Sequence, residues 1–368
     1  MGSRYFPPAP QHPAKIHYLS IAMKKIILLS IDGGGIRGII PATILMRLEK
    51  LLQEKDNHST LHIGDYVDFA AGTSTGGILA CLYLAPNEKG TAKYSAKDAL
   101  DLYVSHGTEI FSRTFLQKFL NPGAILNEKY SDHSIYDLLG KYLGESTLAD
   151  LIRPCLITAY EMAERRAMFF TSVDAAESDM DNFYAKDVAR STSAAPTYFE
   201  PSHIKSFDGK IWSLLDGGVF ANNPALCAYA EARKTDFAKV LKNPEKPKCP
   251  AAKDMLMVSL GTGSVKKQYH YKSFKDAGEI KWLEPIIDIL MSGNSETVGY
   301  QLQQMYGTLE PADRADYFRL EPGLFEACSE MDVVTPENIT NLQQAGLKYV
   351  HDNQQMLSNL ADRILANR

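Results

Sequence analysis

The sequence predicts an α/β fold, a three-layer sandwich with a mostly parallel central sheet that is followed by a helical C-terminal elaboration. Short, continuously apolar runs of strand length recur along the chain, as expected for strands buried on both faces of a sheet. Helical stretches separate these runs, and this alternation is typical of a parallel sheet with helices on both sides. With 368 residues, of which 45% are hydrophobic, the chain can bury a large core.

The first predicted unit is strand, glycine-rich loop and helix. Residues 26–31 are all apolar except Ser30 and predict a buried strand. Residues 32–38 contain four glycines, and residues 39–53 carry apolar side chains at helical spacing. Pro41 falls in the first turn of this helix, where its missing N–H does no harm. The loop therefore connects the end of a strand to the start of a helix.

The second unit repeats this pattern. Residues 66–71 predict a strand, and the small-residue apolar run 77–84 predicts a buried helix. Further strands are predicted from apolar runs at residues 155–160, 168–173, 212–216 and 255–260. The sequence has no internal repeat.

We divide the chain into a leader and one domain. Residues 1–22 contain four prolines and predict a disordered leader or a segment introduced by cloning, with Met23 as the natural start. Residues 23–368 predict a single α/β domain, with a motif-bearing core at 24–263 and a helical region at 279–368. Between them, residues 266–278 are polar and predict a mobile loop. The last predicted element is one amphipathic helix over residues 338–367.

The composition of the chain limits the partners, the compartment and the cofactors that we expect for the protein. A formal charge of −5, without a long basic stripe, argues against a nucleic-acid polymer as partner. The five cysteines are scattered without a C-x-x-C pair, which favours a reducing compartment. No signal peptide and no apolar run long enough to span a membrane is evident. We therefore expect a cytoplasmic protein, and the absence of clustered ligand residues predicts neither a metal nor a cofactor.

Ser74 is the candidate nucleophile. It lies in the pattern Gly72-x-Ser74-x-Gly76, between a predicted strand and a predicted helix. Such a strand-to-helix turn needs residues without a bulky Cβ on both sides and exposes the serine Oγ. The alternative is an ordinary turn in which Ser74 caps the following helix.

Asp216 is the candidate general base. It ends the apolar run 212–216 and is followed by two glycines, so another backbone segment can approach its carboxylate. A histidine would complete a triad, but only His270 and His351 follow Asp216, and neither falls in a strand-end loop. The pattern therefore favours a Ser74–Asp216 dyad. The alternative is that Asp-Gly-Gly is only a turn.

The loop 32–38 admits two interpretations. Gly33-x-Gly35-x-x-Gly38 satisfies the dinucleotide-binding pattern between strand and helix, but no convincing ribose-binding acid follows about twenty residues later. Alternatively, consecutive glycine amides at a helix N-terminus form an oxyanion hole, to which Arg37 adds positive charge. We favour the oxyanion hole because a nucleophile candidate comes next along the chain.

Taken in this order, the three glycine-rich segments resemble those of the patatin-like acyl hydrolases, a family similar to the catalytic core of cytosolic phospholipases A2. Residues 189–199, 216–224 and 259–263 resemble three further family segments. The resemblance covers residues 24–263. It implies a lipid acyl hydrolase, of phospholipase A or lysophospholipase type, that forms an acyl-enzyme and needs no cofactor. It also implies that Ser74 is the nucleophile and that Asp216 is the base. Gly72 and Gly76 would form the sharp turn around Ser74, the nucleophile elbow, and the oxyanion hole would consist of Gly33, Gly34, Gly35 and Arg37.

Other hypotheses remain open from the sequence. Similar bacterial proteins are effectors of anti-phage defence that a small cyclic nucleotide activates. A binding or storage protein with this fold would not turn over substrate. Two apolar stretches, residues 111–120 and 282–291, are either core or surfaces for transient membrane contact. The sequence leaves the oligomeric state and the lipid specificity open.

Overall fold

The computed structural model describes residues 23–111, 131–196, 198–264, 269–275 and 278–368. The predicted leader and most of the apolar stretch 111–120 lie outside these residues. The predicted loop 266–278 is described only in part, and that part contains a short helix, Tyr271–Phe274.

One sheet organises the described part of the chain. Its strands are β1 Ile26–Ile31, β2 Phe69–Gly72, β3 Cys155–Glu161, β4 Arg166–Thr171, β5 Ser202–Lys205, β6 Ile211–Asp216, β7 Met255–Leu260 and β8 Tyr317–Leu320. The spatial order is β5-β6-β3-β2-β1-β7-β8, and β4 also pairs with β3. Strands β3, β2, β1, β7 and β8 run parallel, whereas β4 and β6 are antiparallel to β3, and β5 is antiparallel to β6.

The longer helices are α1 Ile39–Asp56, α2 Thr75–Leu84, α3 Ala96–Phe111, α4 Ser131–Leu143, α5 Ala185–Thr192, α6 Ala225–Lys234, α7 Glu279–Gly307, α8 Pro336–Asp352 and α9 Gln354–Asn367. Single helical turns lie between them at Gly35–Gly38, Ile63–Tyr66, Leu148–Asp150, Ser172–Ala175, Gly218–Ala221, Phe237–Val240, Ala252–Asp254 and Pro311–Arg314.

Both faces of the sheet are covered, which confirms the predicted three layers. Successive side chains of β1 alternate between two cores, as the pleat of a strand requires. Ile27, Leu29 and Ile31 pack in the larger core with α1 and α2. Ile26 and Leu28 pack in the smaller core with α6 and α7. Because each face is buried, both sets must be apolar, and each such side chain stabilises the fold by roughly 1.5–3 kcal/mol.

Most predicted elements are present, with shifted ends. Strands β1 and β7 and the start of α1 lie where the sequence predicts them. The strand predicted at 66–71 is wrong in its first part, because Tyr66 ends a helical turn whose Asp65 side chain accepts the His62 backbone N–H. Likewise β4 ends at Thr171, whose hydroxyl caps the helical turn that follows.

The C-terminal region is helical, as predicted, with two differences. The predicted helix 338–367 is two helices, α8 and α9, which meet at Asn353. The Asn353 side chain donates to the Tyr349 carbonyl and so offers the backbone an alternative to continuing the helix. The second difference is β8, a strand of four residues that is too short to give a periodic signal.

Candidate functional site

The candidate site lies where two strands meet end to end. Strand β4 occupies one edge of β3 from Leu156 to Glu161, so β2 and β6 must share the opposite edge. On that edge Gly72 of β2 pairs with Ile157, and Asp216 of β6 pairs with Ala159. Since β6 is antiparallel to β2, the carboxyl ends of both strands face the same gap. This topology brings the segments of Ser74 and Asp216 together.

Ser74 occupies a sharp turn between β2 and α2. Its φ of 55° and ψ of −123° lie outside the conformations that residues other than glycine usually adopt. A Cβ on Gly72 would lie 2.2 Å from the Gly76 carbonyl oxygen, so the two halves of the turn are in direct backbone contact. The Ser74 side chain makes no capping hydrogen bond to the described backbone of α2, which argues against the capping interpretation.

Ser74 instead lines a cleft together with Asp216. The Asp216 carboxylate is only 4% exposed and accepts the Gly218 backbone N–H at 2.7 Å. Burial raises the pKa of Asp216 to about 7, although hydrogen bonds from the Ser74 hydroxyl and the Gly218 N–H oppose this shift. A carboxyl group with such a pKa exchanges its proton near neutral pH, as a general base must.

The glycine-rich loop 32–38 is anchored at its first two residues. Arg319 donates from Nη1 and Nη2 to the Asp32 carboxylate, at 3.0 and 2.7 Å. At the next residue, the Gly33 N–H donates to the Asn222 carbonyl at 3.0 Å. The Gly34 and Gly35 amides have no protein acceptor among the described residues. Of the three predicted oxyanion glycines, Gly34 and Gly35 therefore retain unused donors, whereas Gly33 does not.

Arg37 contacts the loop itself. Its guanidinium donates to the Gly34 carbonyl at 3.3 Å and to the Gly263 carbonyl at 3.2 Å. Burial lowers the pKa of Arg37, and the Asp288 carboxylate opposes this shift. Arg37 lines a polar cavity beside the cleft that contains Ser74. Its charge thus lies at the glycine-rich loop 32–38, and its hydrogen bonds connect the Gly34 carbonyl of that loop to the Gly263 carbonyl.

Two adjoining spaces surround the site. An apolar cleft of about 100 Å³ contains Ser74, Asp216 and Gly35, and its other walls include Ala195, Pro196, Phe199, Val219 and Leu290. A polar cavity of about 1070 Å³ lies beside it and is lined by residues such as Asp32, Arg37, Asp288, Arg319 and Glu321. Four residues line both spaces, namely Tyr198, Ile287, Met291 and Met331. A molecule with an apolar and a polar end can therefore contact both spaces across this shared wall.

The two histidines that follow Asp216 do not line these spaces. Both His270 and His351 are exposed, and neither lines the cleft or the polar cavity as the structure describes them. Across residues 23–111, 131–196, 198–264, 269–275 and 278–368, no group of three or more His, Cys, Asp or Glu side chains could hold a metal. None of the helices in those ranges has the length and hydropathy needed to cross a membrane.

The apolar stretch 282–291 on α7 belongs partly to this site. Ile287, Leu290 and Met291 line the cleft, so one face of the helix forms its wall. Ile286 and Ile289 are exposed beside it, and Leu290 is 57% exposed at the rim. The stretch 111–120 lies outside the described residues, apart from the backbone of Phe111.

Three residues of the site were not among those predicted from the sequence. The amide of Thr75, the first of α2, also has no acceptor among the described residues and directly follows Ser74. The Thr192 hydroxyl accepts the Ser74 N–H at 2.8 Å. Arg319 is 287 positions from Asp32 along the chain. A glycine pattern could have suggested Thr75, but no local pattern identifies Thr192 or Arg319.

Comparison with known proteins finds several that are similar to this chain. A model of the family described as patatin-like phospholipase matches residues 29–229, which include Ser74 and Asp216. Patatin-like protein 1 of Arabidopsis thaliana is 34% identical, with 88% of this chain and 81% of that protein covered. Patatin-2-Kuras 4 of Solanum tuberosum is 32% identical, with coverage of 87% and 85%. Among solved structures, VipD from Legionella pneumophila aligns at 13% identity with a TM-score of 0.38, over 89% of this chain and 67% of that one.

Proposed function

This chain belongs to the patatin-like phospholipase family, and from that premise we propose that it is a lipid acyl hydrolase with a Ser74–Asp216 dyad. The observation that carries the proposal is that a serine in a strained strand-to-helix turn and a buried carboxylate line the same cleft. An acyl-lipid is the substrate, and the scissile bond is a carboxylic ester. Phospholipids are the class we expect first.

Acylation begins at the Ser74 hydroxyl. Its Oγ attacks the ester carbonyl carbon while the Asp216 carboxylate accepts the hydroxyl proton. The negative charge that develops on the carbonyl oxygen is stabilised by free amides, for which Gly34, Gly35 and Thr75 are the candidates. Removing one such donor typically raises the barrier by about 3–4 kcal/mol. Collapse of the intermediate breaks the ester bond, and the leaving alcohol takes the proton from Asp216.

Deacylation reverses these roles with water. Asp216 removes a proton from a water molecule, whose oxygen attacks the acyl carbon of the Ser74 ester. The second tetrahedral intermediate expels the Ser74 oxygen, which regains the proton from Asp216. The products are the free acid and the original enzyme. One buried carboxyl group therefore acts twice as base and twice as acid, and a pKa of about 7 suits both tasks.

The two adjoining spaces support an orientation for the lipid. The apolar cleft suits the acyl chain next to the ester, and the polar cavity suits the head group, since both share a wall. The exposed Ile286, Ile289 and Leu290 are candidates for transient contact with a lipid surface. We place the protein in the cytoplasm, peripheral to a membrane, on the basis of its cysteine usage and this rim.

The test is covalent labelling with a fluorophosphonate, read by mass spectrometry of the adduct. We expect labelling of Ser74 alone in the wild type and none in Ser74→Ala. The matched control is Ser105→Ala, because Ser105 is exposed on α3 and lines neither the cleft nor the polar cavity. Hydrolysis of phosphatidylcholine and lysophosphatidylcholine vesicles should disappear with Ser74→Ala and persist with Ser105→Ala.

Two results would contradict the proposal. Labelling or lipid hydrolysis that survives Ser74→Ala would remove Ser74 as nucleophile. A wild-type protein that neither reacts with the probe nor releases fatty acid would favour a binding or storage role. Addition of cyclic nucleotides to that inert protein, followed by the same assay, would then detect an activated effector.

A further inference from the structure

The turn that follows Asp216 connects three different parts of the site. Its carbonyls at Phe220, Ala221 and Asn222 are consecutive, and each accepts a hydrogen bond from another element. Thr73 of the nucleophile turn donates to Ala221 at 2.6 Å, and Gly33 of the oxyanion loop donates to Asn222 at 3.0 Å. The third donor is the Asn294 side chain on α7, whose Nδ2 lies 2.8 Å from the Phe220 oxygen.

Asn294 holds this aspartate turn, residues 216–223, at a second point. Its Oδ1 accepts the Asn223 backbone N–H at 3.3 Å. The Asn294 side chain therefore bonds the turn on both sides of the Ala221 and Asn222 carbonyls, which accept from Thr73 and Gly33. The next residue of α7 adds a third contact, since the Ser295 hydroxyl accepts from Asn222 Nδ2 at 3.0 Å. All three bonds are at least partly buried.

The position of the aspartate turn decides the alignment of the reacting groups. Asp216 begins the turn, and the Gly218 N–H that bonds its carboxylate lies within it. The same turn holds Gly33, the residue before the free amides of the oxyanion loop. A shift of the turn would therefore move the base and the oxyanion donors together relative to Ser74.

We propose that Asn294 is a positioning residue for acyl transfer, which holds the aspartate turn so that base and oxyanion loop stay aligned on Ser74. This inference rests on the proposed function and gives the C-terminal helical region a part in it. Asn294 lies beyond residues 29–229, the segment that the family model matches. Because α7 also forms the cleft wall with Ile287 and Met291, it joins the lipid-binding surface to the catalytic groups.

The discriminating variant is Asn294→Ala, with Asn341→Ala as its matched control. Asn341 also lies on a C-terminal helix and donates from its side chain to a loop carbonyl, Glu326 at 3.2 Å, but this bond is exposed and Asn341 lines neither the cleft nor the polar cavity. Both variants lose a bond between a helix and a loop. Only Asn294→Ala frees the aspartate turn.

We expect the kcat of Asn294→Ala on soluble aryl esters to fall by about tenfold to 100-fold, since small misplacements of reacting groups have effects of this size. KM should change by no more than about threefold, because the cleft wall is intact. The acid limb of the pH profile should also move to lower pH, as the loosened turn admits water to Asp216, whose raised pKa depends on burial. If Asn294 only stabilised the fold, its replacement would leave the acid limb of the pH profile unchanged.

Hydrogen–deuterium exchange gives a readout that does not need activity. Peptides covering residues 32–38 and 216–223 should exchange faster in Asn294→Ala than in Asn341→Ala, with equal melting temperatures of the two variants. Should Asn294→Ala fail to fold, Ser295→Ala decides, with an expected loss in kcat of about threefold for one hydrogen bond of modest strength.

The proposal is wrong if kcat and exchange in Asn294→Ala match those of Asn341→Ala, or if activity is lost only in proportion to the unfolded fraction. If Ser295→Ala has to replace Asn294→Ala, a kcat of Ser295→Ala equal to that of the wild type would also overturn the proposal. Failure of the proposed function looks different, because the wild type itself would then lack esterase activity and fluorophosphonate labelling. The exchange measurement would still decide whether Asn294 holds the turn.

Discussion

Replacement of Asp216 by asparagine should make the protein more stable and inactive at the same time. The substitution keeps the shape of the side chain and an Oδ1 that can accept the Gly218 N–H. It removes the carboxyl group, whose pKa burial raises from 3.8 to about 7. Asp216→Asn therefore separates the stability penalty of a buried charge from the catalytic use of that charge.

The size of the stability gain follows from the pKa. Between about pH 4 and 7 the folded state keeps a proton on Asp216 that the unfolded chain has released. The free energy of unfolding of the wild type therefore falls as pH rises, by about 1.4 kcal/mol per pH unit from this group. Asparagine does not titrate, so the free energy of unfolding of Asp216→Asn lacks this contribution. The difference in the free energy of unfolding between Asp216→Asn and the wild type should therefore grow from near zero at about pH 4 to roughly 4 kcal/mol above pH 7, and then remain constant.

The assay is urea unfolding of both proteins across this pH range, together with ester hydrolysis. Asp179→Asn serves as control, because the Asp179 side chain is exposed and its removal should leave both quantities nearly unchanged. We expect kcat of Asp216→Asn to fall by about 1,000-fold, within the range for loss of a general base. A stability difference that does not depend on pH, or activity within about tenfold of the wild type, would refute this reasoning.

Three further predictions concern the same site. The kcat/KM of the wild type should rise with pH through about 7 as Asp216 becomes ionised, and a profile that is flat from about pH 5 to 9 would exclude it as base. Gly34→Ala should abolish hydrolysis, because a Cβ there would lie 2.2 Å from Thr262 Oγ1, whereas Gly140→Ala, with open space around it, should retain activity in the same assay. Arg319→Met should lower the free energy of unfolding in urea by about 3–5 kcal/mol, since it leaves a buried carboxylate unpaired; a loss below about 1 kcal/mol would contradict this.

The sequence was informative wherever the signal is local. The apolar runs at β1 and β7 locate these strands because each is buried on both faces, so every position is constrained. The glycine spacing around Ser74 locates the strand-to-helix turn because a Cβ at Gly72 would collide with the opposite backbone. The roles of Ser74 and Asp216 remain predictions that the variants above test.

Local signals were weaker where short elements or contacts distant in sequence decide the structure. Strand β8 has only four residues and forms because β7 offers it a parallel edge. The break at Asn353 between α8 and α9 depends on one side-chain hydrogen bond within an otherwise continuous amphipathic pattern. Neither the hydrophobic period nor the composition contains this information.

The sequence by itself determined the α/β class and the turn that carries Ser74, because each depends on neighbours along the chain, and it made Asp216 a candidate base. Only the tertiary structure decided that Gly33 donates to Asn222, that Arg319 holds Asp32 and that Asn294 holds the turn after Asp216. These contacts join segments 71 to 287 positions apart. Which segments meet is set by the order and direction of strands in the sheet, and above all by the end-to-end meeting of β2 and β6 on β3, which no local pattern encodes.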